Sequence, residues 1–252
     1  MKLIRFKHGD QAIYGIIERD TIYAVKGDIF TGVERGQAVA SVDKVRPLAP
    51  CEPTKVIGAA GSYRESYASQ NKPFPAEPRL FIKPSTSVVG HADNVIVPPH
   101  AGQVIYEGEL AVVIGKKASN VEPEDALKYV LGYTCGNDVT SRDLSSRDGY
   151  PGRSKWFDTF SPLGPIIVTD LDPNNLAIRT RLDGKQVQSS NTSDLLFNVQ
   201  WQVSTLSKIT TLLPGDVILT GTPPGNGFAE PGQTVEVEIE GIGVLSNKYV
   251  RG

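Results

Sequence analysis

The sequence predicts a mainly β fold with a few flanking helices, α+β in class, on three observations. Short runs rich in Val, Ile, Tyr and Thr recur along the chain, many of them closed by Gly, Pro or Asn, the punctuation of strands and turns. Only two longer segments place apolar residues at helical spacing. The chain is 252 residues long and 39% hydrophobic, enough for one large core with a small appendage.

The elements follow in order. "MKLIRFKHG", "QAIYGIIE" and "TIYAVKG" read as strands joined by polar turns, making a small β-rich domain over residues 1–50. "RPLAPCEPTK", with three prolines, connects it to a main domain over 51–252. There "VIGAAGSY", "RLFIKP", "NVIVPP", "YEGELAVVIGKK", "GPIIVTD", "LAIRTRLDG", "DVILTGTP" and "TVEVEIEGIGVLSNKYV" are further strand candidates. "EPEDALKYVLGY" reads as a helix, with Pro123 and acids in its first turn. So does "TSDLLFNVQWQVSTLSKI", with Leu195, Leu196, Val199, Val203 and Leu206 on one stripe. "SRDLSSRDGYPGRSKWFD" is polar, contains glycine and reads as an irregular loop, the kind of segment that carries function.

Composition excludes several functions. A net charge of −2 disfavours nucleic-acid or anionic-membrane partners, which want a basic face. No apolar run approaches the ~20 residues of a membrane span, and the start lacks a signal-peptide pattern. Cys51 and Cys135 lie far apart without metal spacing and are expected buried and reduced, so the cytoplasm is the expected location.

The stretch "VIYEGELAVVIGKK", residues 104–117, raises the functional question, because Glu107 and Glu109 interrupt an apolar run. On a strand they share a face, ~7 Å apart along the chain. Apolar residues flank them on both faces, so the strand is expected to be covered on both sides rather than to be an edge strand with solvated acids. Buried carboxylates need compensation. A basic side chain serves one of them; a divalent cation serves both. Asp138, in "GYTCGNDVTSRD", is the best third acid, and three carboxylates with water make a hard oxygen site for Mg²⁺ or Mn²⁺. The spacing of Asp138, Asp143 and Asp148 is not that of a calcium loop. Asp143 is expected to pair with Arg142. Lys155, among aromatics in "RSKWFDTFSPLGP", is either a surface lysine or a group that stabilises an oxyanion or moves a proton. Arg64, Lys83, Arg142, Arg147 and Arg153 are basic residues available to a di- or tri-acid. His91 and His100 read as structural or surface groups.

"YEGELAVVIGK", "GYTCGNDVTSRD", "KWFDTFSPLGP" and "LLPGDVILTGTPPGNGF", in this order and with similar gaps, resemble the fumarylacetoacetate hydrolase family. The resemblance runs from about residue 55 to the C-terminus. It implies a mixed β-roll catalytic domain, often preceded by a small N-terminal domain, and a homodimer. Glu107, Glu109 and Asp138 match the family's metal ligands, with Mg²⁺ or Mn²⁺ as cofactor. Lys155 matches the lysine beside the substrate, and Thr222 the threonine near its carboxylate. Tyr63 and Arg142 match positions that line the pocket. The implied substrate is a small 2-oxo or 2,4-dioxo acid, and the shared chemistry is a metal-stabilised enolate.

The sequence departs from that family at one place. Many members carry "NYxxHxxE", whose His and Glu activate water. Here "SYRESYAS" keeps Tyr63 but puts Ser62, Ser66 and Ser69 at the Asn, His and Glu positions. Glu65 is the candidate substitute base. Water attack gains ~10²–10⁴-fold from such a base, whereas decarboxylation needs only the electron sink and later protonation. The sequence therefore favours decarboxylation of an oxaloacetate-like acid. Hydrolysis of acylpyruvates, isomerisation of an unsaturated oxo-diacid of 2-hydroxyhepta-2,4-diene-1,7-dioate type, and a catalytically weak binding relative are the alternatives.

Overall fold

Strand Gly108–Ile114 is buried at every residue because it runs between two cores. Leu110, Val112 and Ile114 join the larger core, while Ala111 and Val113 face the second. Alternate side chains take opposite faces, so a strand covered on both sides reads as an unbroken apolar run, as the sequence indicated. All 252 residues are described by the computed structural model.

An eleven-stranded mixed sheet is built outward from this strand. On one side Val217–Leu219 pairs antiparallel with it, Lys55–Ala60 lies parallel to Val217–Leu219, and Arg79–Pro84 comes last. On the other side come Val130–Asn137 and Ser161–Val168. Lys2 and Leu3 pair with Val168 and Ile167, which joins the N-terminal meander to the same sheet. A five-stranded sheet, in the order 185–191, 177–182, 234–239, 243–251 and 95–97, supplies Ile178, Val237, Ile239 and Leu245 to the larger core. Helix Val199–Ile209 adds Val199, Val203 and Leu206 to it. A three-stranded sheet of 140–141, 104–106 and 227–228 sits beside the polar segment that follows Asp138. The mainly β, α+β prediction with a few flanking helices holds.

Four local expectations change. Glu107 does not share a strand with Glu109: Val104–Tyr106 and Gly108–Ile114 are separate strands, and Glu107 is the break between them. The break is held from outside, by Asn137 Oδ1 accepting from Glu107 N (3.0 Å) and by Asp138 N donating to Glu107 O (2.9 Å). "EPEDALKYVLGY" forms only a 3₁₀ segment, Pro123–Tyr129, before strand Val130–Asn137 begins. Pairing with Gly108–Ile114 outweighs the local helical preference there. The second expected helix starts at Val199, because Asn198 caps it, its Oδ1 accepting from Trp201 N. Leu195 and Leu196 lie in the preceding segment. Finally, the polar loop contains a helix, Arg142–Asp148, capped by Ser141 Oγ accepting from Leu144 N and ended by Gly149 at φ 67°.

Residues 1–50 contain the three expected strands and a fourth, Glu34–Ser41. Cys51 and Cys135 are buried and unpaired. His91 Nδ1 accepts from Ser246 N (3.2 Å), and His100 stacks on Phe157. No helix is long and apolar enough to cross a membrane.

Candidate active site

Glu109 points inward from a strand that is buried at every residue, and it is 2% exposed. Its Oε2 accepts from Gly221 N (2.7 Å), the only hydrogen bond its carboxylate makes. Glu107, in the break, is 15% exposed on its side chain. Asp138 follows the end of Val130–Asn137, the strand antiparallel to Glu109's own, and is 1% exposed. The two strands and the break bring one oxygen from each carboxylate within 4.8 Å of the others.

Two lysines answer these charges. Lys155 donates to Glu107 Oε2 (2.8 Å), Thr140 Oγ1 (2.6 Å) and Asp138, with its ammonium 4.3 Å above the Phe81 ring. Lys83, wholly buried, donates to Asp138 and to the carbonyls of Val139 (3.1 Å) and Phe160 (2.7 Å). Thr140 Oγ1 donates to Glu107 Oε2 (3.0 Å), and Asn226 Nδ2 to Glu107 Oε1 (3.1 Å).

The electrostatics follow from burial and neighbours. Burial, then Asp138 and Glu107, push the Glu109 carboxyl well above the usual glutamate range. Burial alone would raise Asp138, but Lys155 and Lys83 outweigh it and hold Asp138 below its ordinary value. The two lysines move in opposite directions. Burial opposes the Lys155 ammonium, yet Asp138 and Glu107 together hold it above the usual lysine value. Lys83 has one carboxylate and no solvent, so burial wins and its ammonium is depressed.

The donor set fits a hard dication. Three converging carboxylate oxygens face two ammonium groups, so the centre keeps a formal excess of one negative charge, and Glu109 has one hydrogen bond where a buried carboxylate wants several. Glu107, Glu109 and Asp138 are the residues that could hold a divalent cation.

A cleft of about 360 Å³ opens on this centre, and Glu107, Thr140, Lys155, Asn226, Arg142 and Arg79 are among its walls. Of the residues singled out in the sequence, Glu107, Lys155 and Arg142 border it. Glu109 and Asp138 lie behind them. Arg142 is exposed and does not pair with Asp143, contrary to expectation: Asp143 Oδ2 accepts from Gln103 N (3.1 Å) instead. Thr222 is a scaffold contact here, its hydroxyl donating to Gly108 O (2.9 Å) and accepting from Gln188 Nε2 (2.9 Å). Tyr63 is fully buried and its hydroxyl has no partner; burial, with Glu109 the foremost of the charges on it, raises its pKa. Glu65 lies on the short helix Arg64–Ala68, outside the cleft walls, accepting from Ser190 Oγ at 3.3 Å. Arg64 donates to the Ser193 and Leu195 carbonyls, and Arg147 and Arg153 pair with Asp148. Sequence reading named Lys83 only as a possible substrate contact and did not reach Thr140, Asn226 or Arg79. In "RLFIKP" the alternation puts Lys83 on the Phe81 face, so a charge at an inward position was the available signal.

The chain is similar to known proteins over nearly its whole length. Residues 55–250 match the family described as "Fumarylacetoacetate (FAA) hydrolase C-terminal", and residues 1–50 match "Rv2993c-like, N-terminal". A Homo sapiens protein named "Oxaloacetate tautomerase FAHD2B, mitochondrial" is 42% identical over 245 residues, covering 86% of this chain and 78% of its own. The crystal structure of 5-carboxymethyl-2-hydroxymuconate delta-isomerase from Mycobacterium smegmatis superposes with a TM-score of 0.93 at 41% identity, covering 100% of both chains. Maleylpyruvate hydrolase from Sphingobium sp. SYK-6, solved with manganese(II) and pyruvate, superposes at 0.83 with 27% identity, again over 100% of both chains.

Proposed function

The chain belongs to the fumarylacetoacetate hydrolase family, and from that premise we propose that it forms and reprotonates the enolate of an oxaloacetate-type 2-oxo acid, interconverting its enol and keto forms. One observation carries the reading: Glu107, Glu109, Asp138 and Lys155 converge beside an open cleft, and no water-activating pair stands with them. The human relative's name points to the same substrate.

Mg²⁺ or Mn²⁺, when bound, supplies Lewis acidity toward the acid's carboxylate and keto oxygens. The chain supplies the rest. Lys155, held charged by Glu107 and Asp138, places a fixed positive group where the enolate oxygen gains charge. Thr140 and Asn226 fix the Glu107 carboxylate between them. Lys83 holds Asp138 from behind, away from the cleft. Ser66 and Ser69 offer no base, and Glu65 faces Ser190, so direct attack by water lacks an activator.

The test is to follow enol-oxaloacetate in the ultraviolet with the protein and Mg²⁺, with and without chelator, while measuring pyruvate. Chelator-sensitive loss of the enol without pyruvate is expected. Pyruvate released at the same rate would replace tautomerisation by the decarboxylation that the sequence favoured. Cleavage of acetylpyruvate would make the protein a hydrolase, and its sensitivity to Glu65→Gln would then show whether Glu65 is the base.

A further inference from the structure

Strand Arg79–Pro84 sends three side chains toward the site, and the proposed chemistry uses two of them. Its register against Lys55–Ala60 sets Arg79 opposite Ala60, Phe81 opposite Gly58 and Lys83 opposite Val56. Lys83 reaches Asp138, and Phe81 lies beneath the Lys155 ammonium. Arg79, two residues before Phe81, shares their face. Its Cα is ~7 Å further along the strand, and its side chain, exposed, lines the same cleft as Glu107, Lys155 and Arg142.

Arg79 is exposed and its side chain has no hydrogen bond or ion pair in the chain, whereas most other arginine side chains are committed. Arg5 holds Glu52, Arg153 holds Asp148, Arg181 holds Glu238, and Arg64 is spent on carbonyls. The three carboxylates of the centre outnumber its two ammonium groups by one; the cleft lining also holds two guanidinium groups with no protein anion, Arg79 and Arg142.

We propose that Arg79 is the residue that selects a second carboxylate, making this site specific for dicarboxylic 2-oxo acids. This rests on the enolate reading, which places the 2-oxo acid group at the Glu107, Glu109 and Asp138 end. The far carboxylate then lies toward the mouth and takes the paired N–H donors of a guanidinium, which match a carboxylate's two oxygens. Holding that group as an anion also stabilises the ground state against its loss as neutral CO₂, and so biases the shared enolate chemistry toward tautomerisation.

Oxaloacetate and 2-oxobutanoate share four carbons and a 2-oxo acid end, and differ in the second carboxylate. With Mg²⁺ present, wild type, Arg79→Ala and Arg79→Lys are compared by enol–keto conversion of oxaloacetate and by deuterium exchange at C3 of 2-oxobutanoate. Calorimetric titration gives the Kd of each acid. The wild type should prefer oxaloacetate. Arg79→Ala should lower the oxaloacetate-to-2-oxobutanoate ratio of kcat/KM by ~10–100-fold, the range of a lost charge-assisted hydrogen bond, chiefly through KM. Arg79→Lys should recover part of the ratio. An equal loss on both acids, or an unchanged ratio, overturns the proposal. If the wild type converts neither acid, the enolate reading has failed, and the two Kd values still decide on Arg79. A diacid preference that disappears in Arg79→Ala supports the carboxylate contact; equal Kd values in wild type overturn it.

Discussion

Replacing Glu109 by Gln keeps the shape of the side chain and removes one of three converging charges. In the metal-free chain, burial and the Asp138 and Glu107 carboxylates raise the Glu109 pKa above its unfolded value of ~4.3. The native state therefore keeps a proton that the unfolded chain has released, and stability falls as pH rises from ~4.3 through Glu109's own pKa. The steepest slope one proton can give is ~1.4 kcal/mol per pH unit. Asp138 behaves in the opposite sense: its depressed pKa contributes stability that is complete above ~3.9 and lost in acid. Between pH 5 and 8 the difference between wild type and Glu109→Gln thus isolates Glu109. In chelator, the wild type should weaken with pH relative to the variant. Mn²⁺ at 100 times Kd should then stabilise the wild type by ~2.7 kcal/mol. If losing a ligand weakens affinity ~100-fold, the upper range for losing an outer-shell partner, the variant at the same Mn²⁺ concentration gains only ~0.4 kcal/mol. Urea unfolding across that pH range, with chelator or Mn²⁺, reads all of this. Parallel pH profiles in chelator, or equal stabilisation by Mn²⁺, would refute the reasoning.

Two further variants test the supports behind the centre. Lys83→Met strips the donor from the Val139 and Phe160 carbonyls and leaves Asp138 with Lys155 alone. At ~1–3 kcal/mol for each unsatisfied buried group, the melting temperature should fall by roughly 5–15 °C, read by differential scanning calorimetry; a fall under about 2 °C would contradict the contacts described. Gly58→Ala would put a Cβ 2.0 Å from Phe81 Cζ, displacing the ring beneath Lys155 at a cost of ~1–3 kcal/mol. Its kcat should drop more than its stability alone explains, and a variant with unchanged kcat and melting temperature would show that the ring gives way freely.

The run from residue 104 to 117 disclosed most of the site, because a strand buried on both faces has no room for an unexplained carboxylate. Glu109 obeys that reading. Glu107 does not, because the break in which it sits is fixed by the Asn137 side chain, and nothing local to Glu107 announces a hydrogen bond made thirty positions later. Helix Arg142–Asp148 escaped for a related reason. Its Ser141 and Gly149 ends are ordinary signals, but it buries only Leu144 and so has no apolar stripe to detect. "EPEDALKYVLGY" failed in reverse, since Val130, Leu131 and Tyr133 satisfy a strand as readily as a helix and only the partner strand decides. Family resemblance put Tyr63 and Thr222 near the substrate; the structure buries Tyr63 with its hydroxyl unpartnered and ties the Thr222 hydroxyl to Gly108 O and Gln188 Nε2.

Arg79–Pro84, the strand that supplies Lys83, Phe81 and Arg79, is also the last strand of the large sheet and pairs on one side only. A terminal strand with open backbone groups invites a second molecule to continue the sheet. This one is bracketed by Pro78 and Pro84, has Ile82 O taken by Trp156 Nε1 (3.0 Å), and turns a lysine inward at Lys83. Those are the devices by which sheets resist growing into fibres. The buried ammonium behind Asp138 therefore guards solubility as well as chemistry. A chain that exchanged Lys83 for an apolar residue would lose a constraint on the metal centre and a barrier to aggregation in the same step.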